Sequence, residues 1–462
     1  MDSVHNSGRD TYRLIVTRRD ASEFLLVRRE SGWSLPSVDI QRGQRTAEQL
    51  TTELYAQYGC RGYCLFLPTG TGESARCALM EACQNDQMSS AGTCWIPLAE
   101  ARSLSTDSAE VDAVIEKSFA ELNTHRNEPR LAPFAKPGWL AELMEWVGEQ
   151  VTPLGQYLTG NYTQWNASPT FSLLRLETDH SAVWFKATGE PNRHELPIAA
   201  CLAQLVSRYV PCLLGVHSAW NGWLSEEVSG TRLDYTAQFS AWSKAAEDLA
   251  HLQILSIGRG VELLEGQCKD LRLPTLAAQI DPFLDRMREL MAAQEKTTPA
   301  PLTDTELACL GTRLKEVCSS LLEAGLPDTL GHLDFNSGNI FVAPDGCVFL
   351  DWAEACVSSP LITFEFLREH FKRAGISRST AIEHLVNSYL APWHSLASPA
   401  DWNQAIAVSP LVAVFAYAVA SNAWRSPETL GQRPHAGYFR SLTRRMYREA
   451  EGISARSEQC FA

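Results

Sequence analysis

The side chains best suited to chemistry in this sequence lie in one short stretch, "GHLDFNSGNIFVAPDGCVFLDWAEA", at residues 331–355. It places His332, Asp334 and Asn339 at fixed offsets, and Asp351 closes the apolar run that follows. Between Asn339 and Asp351, two apolar runs flank the turn sequence "PDG", which is typical of a β-hairpin. Because a hairpin folds the chain back on itself, we expect Asp351 to return beside Asn339.

Residues of these types suit phosphoryl transfer. That reaction needs one carboxylate to orient the attacking hydroxyl and accept its proton, and oxygen ligands for the magnesium ion that bridges the nucleotide phosphates. Asn339 and Asp351 offer hard oxygen ligands, which leaves Asp334 to face the acceptor. The alternative is that these residues only cap a turn, as single Asp and Asn residues commonly do. Their combined spacing, followed by "DWAEACVSSPLITFEFL", argues against that alternative.

The stretch resembles the catalytic loop and metal-binding aspartate of the aminoglycoside phosphotransferase and choline kinase family, a branch of the protein-kinase-like fold. The family's "HGDLHPGN" is "HLDFNSGN" here, with Leu333 in place of the usual glycine and Asn336 in place of the second histidine. These departures concern loop shape and substrate class rather than catalysis. The resemblance extends from about Leu158 to the C-terminus and implies ATP and Mg2+ as cofactors. It implies that His332 and Asp334 are catalytic and that Asn339 and Asp351 bind the metal.

The same resemblance gives a role to a lysine upstream. Lys186 in "AVWFKATGE" lies in a predicted strand, on the same face as Ala182 and Trp184. A lysine buried among apolar neighbours needs an anionic partner, and the resemblance implies that Lys186 contacts the α- and β-phosphates and pairs with Glu195. One alternative remains open for each residue. Lys186 could lie in solvent on an edge strand, and Glu195 could lie in solvent at the start of a helix. Pro197 favours a helix's first turn, where the helix dipole stabilises an exposed glutamate.

The segment "GWLSEEVSG" resembles the hinge strand between the two lobes of such kinases. There the nucleotide base would bond backbone atoms, so side-chain identity tells little. The loop that covers the nucleotide should precede Phe171, and the candidate is Asn166 to Thr170. The stretch "LTGNYTQWNASPTFSLL" holds one glycine, Gly160, so cradling of phosphates by backbone N–H groups has little support from the sequence. The residues assigned to the base are Ser225, Glu226, Glu227 and Val228.

The N-terminal residues predict a small α/β unit. Two β-rich runs, "TYRLIVT" and "EFLLVRR", flank a polar turn and indicate a hairpin. The segment "TAEQLTTELYAQYG" indicates an amphipathic helix, because Leu50, Leu54 and Tyr58 recur at four-residue steps. Thr46 is its expected N-cap and Gly59 its expected stop. The segment "TCWIPLAEARSL" indicates a short strand followed by a helix start.

This unit resembles a Nudix domain, whose motif corresponds to "GWSLPSVDIQRGQRTAEQLTTELYAQYGC". The family's motif gathers several glutamates around divalent metal bound to a diphosphate. The matching positions are Gln44, Glu53, Ala56 and Gln57, and only Glu53 is acidic. Because a lone carboxylate cannot hold a magnesium cluster, we expect a Nudix-like fold without catalytic activity.

Along the chain, the predicted strands come before most of the predicted helices. This order indicates an α+β protein, with a bilobal kinase-like domain after the Nudix-like domain. We expect the Nudix-like domain at 1–120, a linker and helix at 121–150, a β-rich N-lobe at 151–228 and a helical C-lobe at 229–462. The linker is the polar segment "ELNTHRNEPRLAPFAKPGW", and "WLAELMEWVGEQV" is the helix after it. The segment "FSLLRLETDHSAVWFKATGE" indicates a hairpin, and "PIAACLAQLVSRYV" indicates a helix. From about Thr231 the chain should be helical except at 331–355.

The chain has 462 residues, 45% hydrophobic and 20% charged, as in soluble globular proteins. A net charge of −14 argues against nucleic-acid binding and is compatible with cationic substrates. Thirteen cysteines without a CxxC pair indicate reduced thiols in a cytoplasmic protein and no zinc site. The N-terminus lacks a secretory signal pattern. The longest apolar stretch, 408–424, is shorter than the ~20 residues of a membrane span, so we expect a buried helix and no membrane contact.

The sequence therefore predicts an ATP- and Mg2+-dependent phosphotransferase that acts on a hydroxyl of a small molecule, such as an aminoglycoside-, choline-, amino-alcohol- or sugar-like compound. The alternative, from another class, is a non-catalytic nucleotide-binding or regulatory protein built from two degenerate enzyme folds. Hydrolysis of nucleoside diphosphates by the first domain is disfavoured by the missing glutamates. No motif indicates the acceptor, a preference between ATP and GTP, or the oligomeric state.

Overall fold

The computed structural model describes residues 8–19, 22–30, 32–68, 76–83, 92–97, 100, 109–127, 133–168, 170–376, 379–396 and 399–460. The chain divides into two compact units, Met1–Leu196 with Cys212–Glu227, and Pro197–Pro211 with Val228–Ala462. The first unit is rich in strands and the second is mostly helical. The expected α+β character is therefore present, whereas the predicted domain boundaries stay predictions.

The first unit contains a sheet of the N-terminal strands in the order β3-β2-β1-β6-β5, with β4 added on β1 and β7 on β2. A second sheet has the order β11-β12-β10-β9-β8. The predicted hairpins β1–β2 and β9–β10 are both antiparallel pairs. The elements are β1 Arg9–Thr17, β2 Glu23–Arg29, β3 Gly32–Ser34, β4 Ser37–Gln41, α1 Thr46–Tyr58, β5 Gly62–Phe66, β6 Arg76–Ala82, β7 Thr93–Pro97, α2 Ala109–Asn127, α3 Trp139–Val151, β8 Leu158–Ser168, β9 Phe171–Thr178, β10 Val183–Thr188, α4 Glu195–Leu205, β11 Leu213–His217 and β12 Gly222–Glu226.

Helix α1 has the predicted amphipathic character, and it buries Leu50, Leu54 and Tyr58. It ends at Gly59, whose left-handed backbone lets its N–H donate to the Tyr55 carbonyl at 2.9 Å. The prediction of Thr46 as N-cap is wrong by one residue. Arg45 is the N-cap, because its backbone is extended and its carbonyl accepts the first helical hydrogen bond, from the Gln49 N–H.

The segment expected to be a linker is more ordered than its polar composition suggested. Helix α2 continues to Asn127, so the first third of the segment is helical. Phe134 and Ala135 form a short 3-10 turn and are buried, and Trp139 begins the predicted helix α3. Apolar side chains placed among polar ones thus anchor this segment to the core. The helix start expected after Pro97 falls largely outside the described residues.

The two sheets of the first unit share one hydrophobic core, which α3 helps to fill. The Trp139 ring lies 5.6 Å from that of Tyr63 on β5 and 5.8 Å from that of Phe185 on β10. Gln164 on β8 is completely buried. Its side chain accepts from the Cys64 N–H at 2.8 Å and donates to the Cys64 carbonyl at 2.7 Å. The N-terminal strands and the five-stranded sheet are therefore parts of a single packed body.

Replacing Gln164 by Leu should destabilise the full-length protein, because both Cys64 backbone groups would lose their partner. A buried polar group left without a partner costs about 1–3 kcal/mol. We expect the free energy of unfolding, measured by urea denaturation, to fall by a comparable amount. Gln57→Leu, on the exposed side of α1, is the matched control and should change stability little. An equal loss in both variants would contradict a special role for the Gln164 contacts.

The second unit is largely helical, as expected, but strands occur outside 331–355 as well. They form two small sheets in the orders β13-β16-β17 and β14-β18-β15. The strands β13 and β14 were not anticipated, because each is only two or three residues long. The elements are β13 Thr231–Arg232, α5 Phe239–Leu255, α6 Gly260–Glu265, β14 Lys269–Leu271, α7 Leu273–Ala277, α8 Ile280–Ala292, α9 Asp304–Glu323, β15 Thr329–His332, β16 Ile340–Ala343, β17 Gly346–Phe349, β18 Ala355–Ser358, α10 Pro360–Arg373, α11 Ser379–Leu390, α12 Pro399–Ala420, α13 Pro427–Gly431 and α14 Arg433–Cys460.

One helical segment in the described part of the chain, Trp402–Ala420 within α12, is long and apolar enough to cross a membrane. In the structure, 67% of its apolar window is buried inside the protein. Leu411, Phe415 and Val419 belong to the core of the second unit. A helix buried to this extent is a core helix, and the sequence predicted a buried helix here.

Candidate active site

The stretch at 331–355 forms the predicted hairpin. Strands β16 and β17 pair antiparallel, with Ile340 opposite Phe349 and Ala343 opposite Gly346. At its open end, the Leu350 N–H donates to the Asn339 carbonyl at 2.8 Å. Asp351 therefore follows Leu350, whose backbone is hydrogen-bonded to Asn339. This confirms the predicted return of the chain.

A buried carboxylate fixes the hairpin to the helical core. Asp248 on α5 is 1% exposed, and it accepts the Cys347 N–H at 2.9 Å. Lys244, one turn earlier on α5, lies 3.2 Å from the same carboxylate. The hairpin that carries Asp351 is thus held by a charge-assisted hydrogen bond as well as by apolar packing.

His332 ends β15 and is completely buried. Its Nδ1 accepts the Asp334 N–H at 3.2 Å, so Nε2 carries the proton, and Nε2–H donates to the Leu350 carbonyl at 3.0 Å. Burial lowers the pKa of His332, which keeps the ring neutral. The ring joins the Asp334 backbone to the end of the hairpin and has no nitrogen left for a substrate. Its geometry is that of a positioning residue.

The two departures from the family motif each have a structural explanation. Leu333 is 2% exposed and packs in the core of the second unit. Asn336 donates from Nδ2 to Oδ1 of Asp334 at 3.2 Å, and its own Oδ1 accepts the Gly338 N–H at 2.9 Å. Asn336 therefore orients the Asp334 carboxylate, which is exposed to solvent. The sequence identified Asn336 only as an unusual residue and gave it no role.

Asn339 and Asp351 fit the requirements of a magnesium site. The Asn339 amide nitrogen donates to the Asp334 carbonyl at 3.3 Å, which orients its oxygen away from that carbonyl. Asp351 is exposed and has a left-handed backbone, with φ 62° and ψ 61°. Non-glycine residues adopt this conformation uncommonly, and such outliers concentrate at functional sites. No group of three or more His, Cys, Asp or Glu side chains suited to a metal occurs among the described residues. Water and nucleotide oxygens would complete this pair, as is usual for Mg2+.

Lys186 and Glu195 form an ion pair within the first unit. The side chains are 16% and 4% exposed. Helix α4 begins at Glu195, as Pro197 indicated. The solvent alternatives for both residues are nevertheless wrong, because the first turn of α4 places the Glu195 carboxylate against the lysine of β10. The Lys186 ammonium also lies 5.7 Å from the ring centroid of Trp223.

The segment assigned to the nucleotide base, residues 225–228, begins inside β12 and continues just beyond its end. The N–H groups of Glu226 and Glu227 donate to the carbonyls of Cys212 and Ala182. The Glu227 carboxylate accepts two hydrogen bonds from Arg175, at 2.6 and 3.0 Å, and these lower its pKa. Ser225 is buried in the strand, Glu226 is exposed, and Val228 begins the second unit.

Most of the segment proposed as the nucleotide-covering loop, Asn166 to Thr170, is strand rather than loop. Asn166 to Ser168 belong to β8, which pairs Ser168 with Phe171. The residue at position 169 is a proline and so has no N–H by its covalent structure, and the Thr170 N–H already donates to the Ser168 hydroxyl oxygen at 3.2 Å. This hairpin end therefore offers phosphates few backbone donors.

The Nudix-motif positions hydrogen-bond to each other and to a neighbour. The Gln57 amide donates to the Glu53 carboxylate at 2.9 Å, and the Gln44 amide donates to Gln41 at 2.6 Å. Ala56 lies beside them on α1 without a polar atom. One carboxylate that already accepts an amide hydrogen bond is a poor magnesium site.

The full-length protein should accordingly show no magnesium-dependent hydrolysis of nucleoside diphosphates linked to a second group. Phosphate and nucleotide release can be followed by chromatography, with Glu53→Gln as the comparison. The two proteins should be indistinguishable. Steady hydrolysis that disappears in Glu53→Gln would show that the N-terminal domain is an enzyme.

The family match lies mainly in the second unit. Residues 224–364, which span β12 to the first turn of α10, match the model of the APH family, described as the phosphotransferase enzyme family. No curated protein matches the chain.

Several solved structures are similar to the chain at low identity. One is a choline/ethanolamine kinase family protein from Mesorhizobium loti, at 16% identity and a TM-score of 0.44, over 64% of this chain and 93% of that one. Another is a macrolide 2'-phosphotransferase from Brachybacterium faecium, at 12% identity and a TM-score of 0.44, over 65% and 97%. A third is a Plasmodium vivax ethanolamine kinase, at 15% identity and a TM-score of 0.42, over 63% and 84%.

The resemblance of the N-terminal residues to a Nudix domain stays a prediction. Residues 224–364 carry the sequence pattern of the phosphotransferase enzyme family, and that match supports a small-molecule phosphotransferase.

Proposed function

We propose that the protein is an ATP- and Mg2+-dependent kinase that transfers the γ-phosphate to a hydroxyl of a small molecule. The observation that carries this proposal is the assembly around His332. Its ring bonds the Asp334 N–H and the Leu350 carbonyl, while Asn339 bonds the Asp334 carbonyl and the Leu350 N–H. These hydrogen bonds link the backbone segments that carry Asp334, Asn339 and Asp351, to which we assign the roles of general base and metal ligands.

The proposed roles follow from exposure and chemistry. The exposed Asp334 carboxylate, oriented by Asn336, accepts the proton of the acceptor hydroxyl as that oxygen attacks phosphorus. Asn339 and Asp351 would hold Mg2+, which would supply positive charge to offset the charge on the nucleotide phosphates during transfer. Lys186, fixed by Glu195, binds the α- and β-phosphates. The N–H groups of Glu226 and Glu227 are occupied, so the base would bond other backbone atoms of residues 225–228.

The proposal is tested by screening hydroxyl compounds for stimulated ADP release from the full-length protein. We expect release that requires Mg2+ and at least one acceptor, and Mg-ATP binding that calorimetry detects without acceptor. If the protein binds no Mg-ATP in calorimetry, the kinase proposal is overturned.

A second candidate is a non-catalytic regulatory protein. The observation that favours it is the β8–β9 hairpin, where the Thr170 N–H already donates to the Ser168 hydroxyl oxygen and is therefore not available to a phosphate. The Nudix-motif positions also favour a non-catalytic protein, because Glu53 is the one carboxylate where the motif has several. Turnover separates the two candidates, because a regulatory protein could bind nucleotide but would not release ADP in response to an acceptor.

A further inference from the structure

The strand that leads into the loop of Asp334 has one edge without a strand beside it. In the sheets that the structure describes, β15 pairs with β18 and ends its sheet. The Leu333 N–H, just after β15, donates to the Glu354 carbonyl on the β18 side at 3.1 Å. Successive N–H groups of a strand alternate in direction, so those of Leu330 and His332 point away from β18. Because both residues are completely buried, these N–H groups need acceptors from elsewhere in the chain.

Two buried hydroxyl groups supply these acceptors. The Ser256 hydroxyl, directly after α5, accepts the Leu330 N–H at 2.8 Å. The Thr363 hydroxyl, on the first turn of α10, accepts the His332 N–H at 2.8 Å. Ser256 is 1% exposed and Thr363 is completely buried. The two hydrogen bonds are alike in length and chemistry, but the second one holds the residue whose ring bonds the loop of Asp334.

The surroundings of the Thr363 hydroxyl fix its place. A Cβ atom added to Gly331 would lie 3.1 Å from the Thr363 hydroxyl oxygen and 2.6 Å from that of Ser358. Glycine therefore allows the close approach between β15 and α10 that the hydrogen bond needs. Gln253 of α5 is also buried, and its amide donates to the Pro360 carbonyl, at the start of α10, at 2.9 Å. The first turn of α10 is thus bonded to α5 as well as to β15.

We propose that Thr363 is a positioning residue for phosphoryl transfer, which acts on Asp334 through His332. This inference rests on the proposed kinase function and extends it to a helix outside the loop. Thr363 fixes the His332 backbone, and Nδ1 of the His332 ring accepts the Asp334 N–H at 3.2 Å. Because a displacement of about 1 Å at a reacting group can cost about 100-fold in rate, loss of the Thr363 hydroxyl should lower kcat.

Nucleotide binding should depend less on Thr363. The proposed metal ligand Asp351 follows a hairpin that Asp248 holds through the Cys347 N–H at 2.9 Å. Lys186, proposed to bind the phosphates, belongs to the first unit. Neither contact involves Thr363, so its loss should appear in kcat rather than in the KM for Mg-ATP.

The test removes one hydroxyl group at a time from the full-length protein. Thr363→Val keeps the shape of the side chain but leaves the His332 N–H without an acceptor. Ser256→Ala does this to the Leu330 N–H and is the matched control, because urea denaturation should show a comparable loss of stability. With the phosphate acceptor found by the ADP-release screen, we expect Thr363→Val to lower kcat by about 10–100-fold and Ser256→Ala to keep the wild-type kcat. Thr363→Ser retains the hydroxyl and should restore most of kcat.

Amide hydrogen exchange, resolved to single residues, makes the test independent of turnover. The His332 amide should exchange slowly in the wild type and faster in Thr363→Val, whereas Ser256→Ala should affect the Leu330 amide. Thr363→Ala takes the place of Thr363→Val if the latter does not fold. Wild-type kcat in the Thr363 variant, an equal loss of kcat in Ser256→Ala, or fast exchange of the His332 amide in the wild-type protein would each overturn the inference. Failure of the kinase proposal is seen separately, as absence of Mg-ATP binding.

Discussion

Asp334→Asn should leave Mg-ATP binding nearly intact and reduce kcat by about 10²–10⁴-fold, the usual effect of removing a general base. The Asp334 carboxylate is exposed, and it accepts the Asn336 amide rather than a metal-binding neighbour. The contact between Asp334 and the acceptor hydroxyl strengthens only as the proton moves. Loss of this contact therefore raises the free energy of the transition state and lowers kcat. Asparagine keeps the size and one hydrogen-bond acceptor but cannot take the proton.

Asp351→Asn should fail differently. As a metal ligand, Asp351 contributes to both the ground state and the transition state, so nucleotide binding and turnover should fall together. Asp345→Asn, at the exposed turn of the same hairpin, is the matched control and should resemble the wild type. Calorimetry of Mg-ATP binding distinguishes the two aspartates before any acceptor is known. Loss of nucleotide binding in Asp334→Asn but not in Asp351→Asn would reverse the proposed roles.

The second large effect is expected at the ion pair between Lys186 and Glu195. Both side chains are mostly buried, and removing one member of a buried pair leaves the other charge without compensation. From sequence alone, Glu195→Ala should do less than Lys186→Ala, because a solvated glutamate would not position the lysine. With the pair formed, we expect both substitutions to weaken Mg-ATP binding by about 10–100-fold, the value of a hydrogen bond to a charged group.

Three further proteins make this test specific. In the double variant, the effects should not add, because both substitutions remove the same interaction. Lys136→Ala, which breaks an exposed pair with Glu142 in the same unit, should bind Mg-ATP like the wild type. Glu195→Gln should behave like Glu195→Ala if the charge matters rather than the size. Normal binding in Glu195→Ala would mean that Lys186 does not depend on its partner.

Some features of the candidate site are determined locally and could be predicted from the sequence. Two apolar runs around a turn can hardly form anything but a hairpin, and the hairpin returns Asp351 to Asn339. Helix α1 follows from the spacing of Leu50 and Leu54, because short-range periodicity determines which face is buried. Its start was misplaced by one residue, since the N-cap depends on the backbone conformation of Arg45 rather than on residue type alone.

Other features needed the tertiary structure, because they join residues far apart in the chain. The sequence allowed Glu195 to be solvated, and only the folded first unit brings its carboxylate to Lys186 of β10. The neutral state of His332 follows from burial and from the Leu350 carbonyl, neither of which its neighbours in sequence reveal.

The organisation of the first unit also depended on long-range packing. Sequence patterns separated an N-terminal domain from a kinase-like lobe at about residue 120, because each segment contains its own strands. In the structure, the buried Gln164 of one sheet satisfies the Cys64 backbone of the other. A polar side chain in a strand indicates neither burial nor its partner. The sequence by itself therefore determined the local elements and the hairpin that carries Asp351, whereas only the tertiary structure decided which buried polar groups pair.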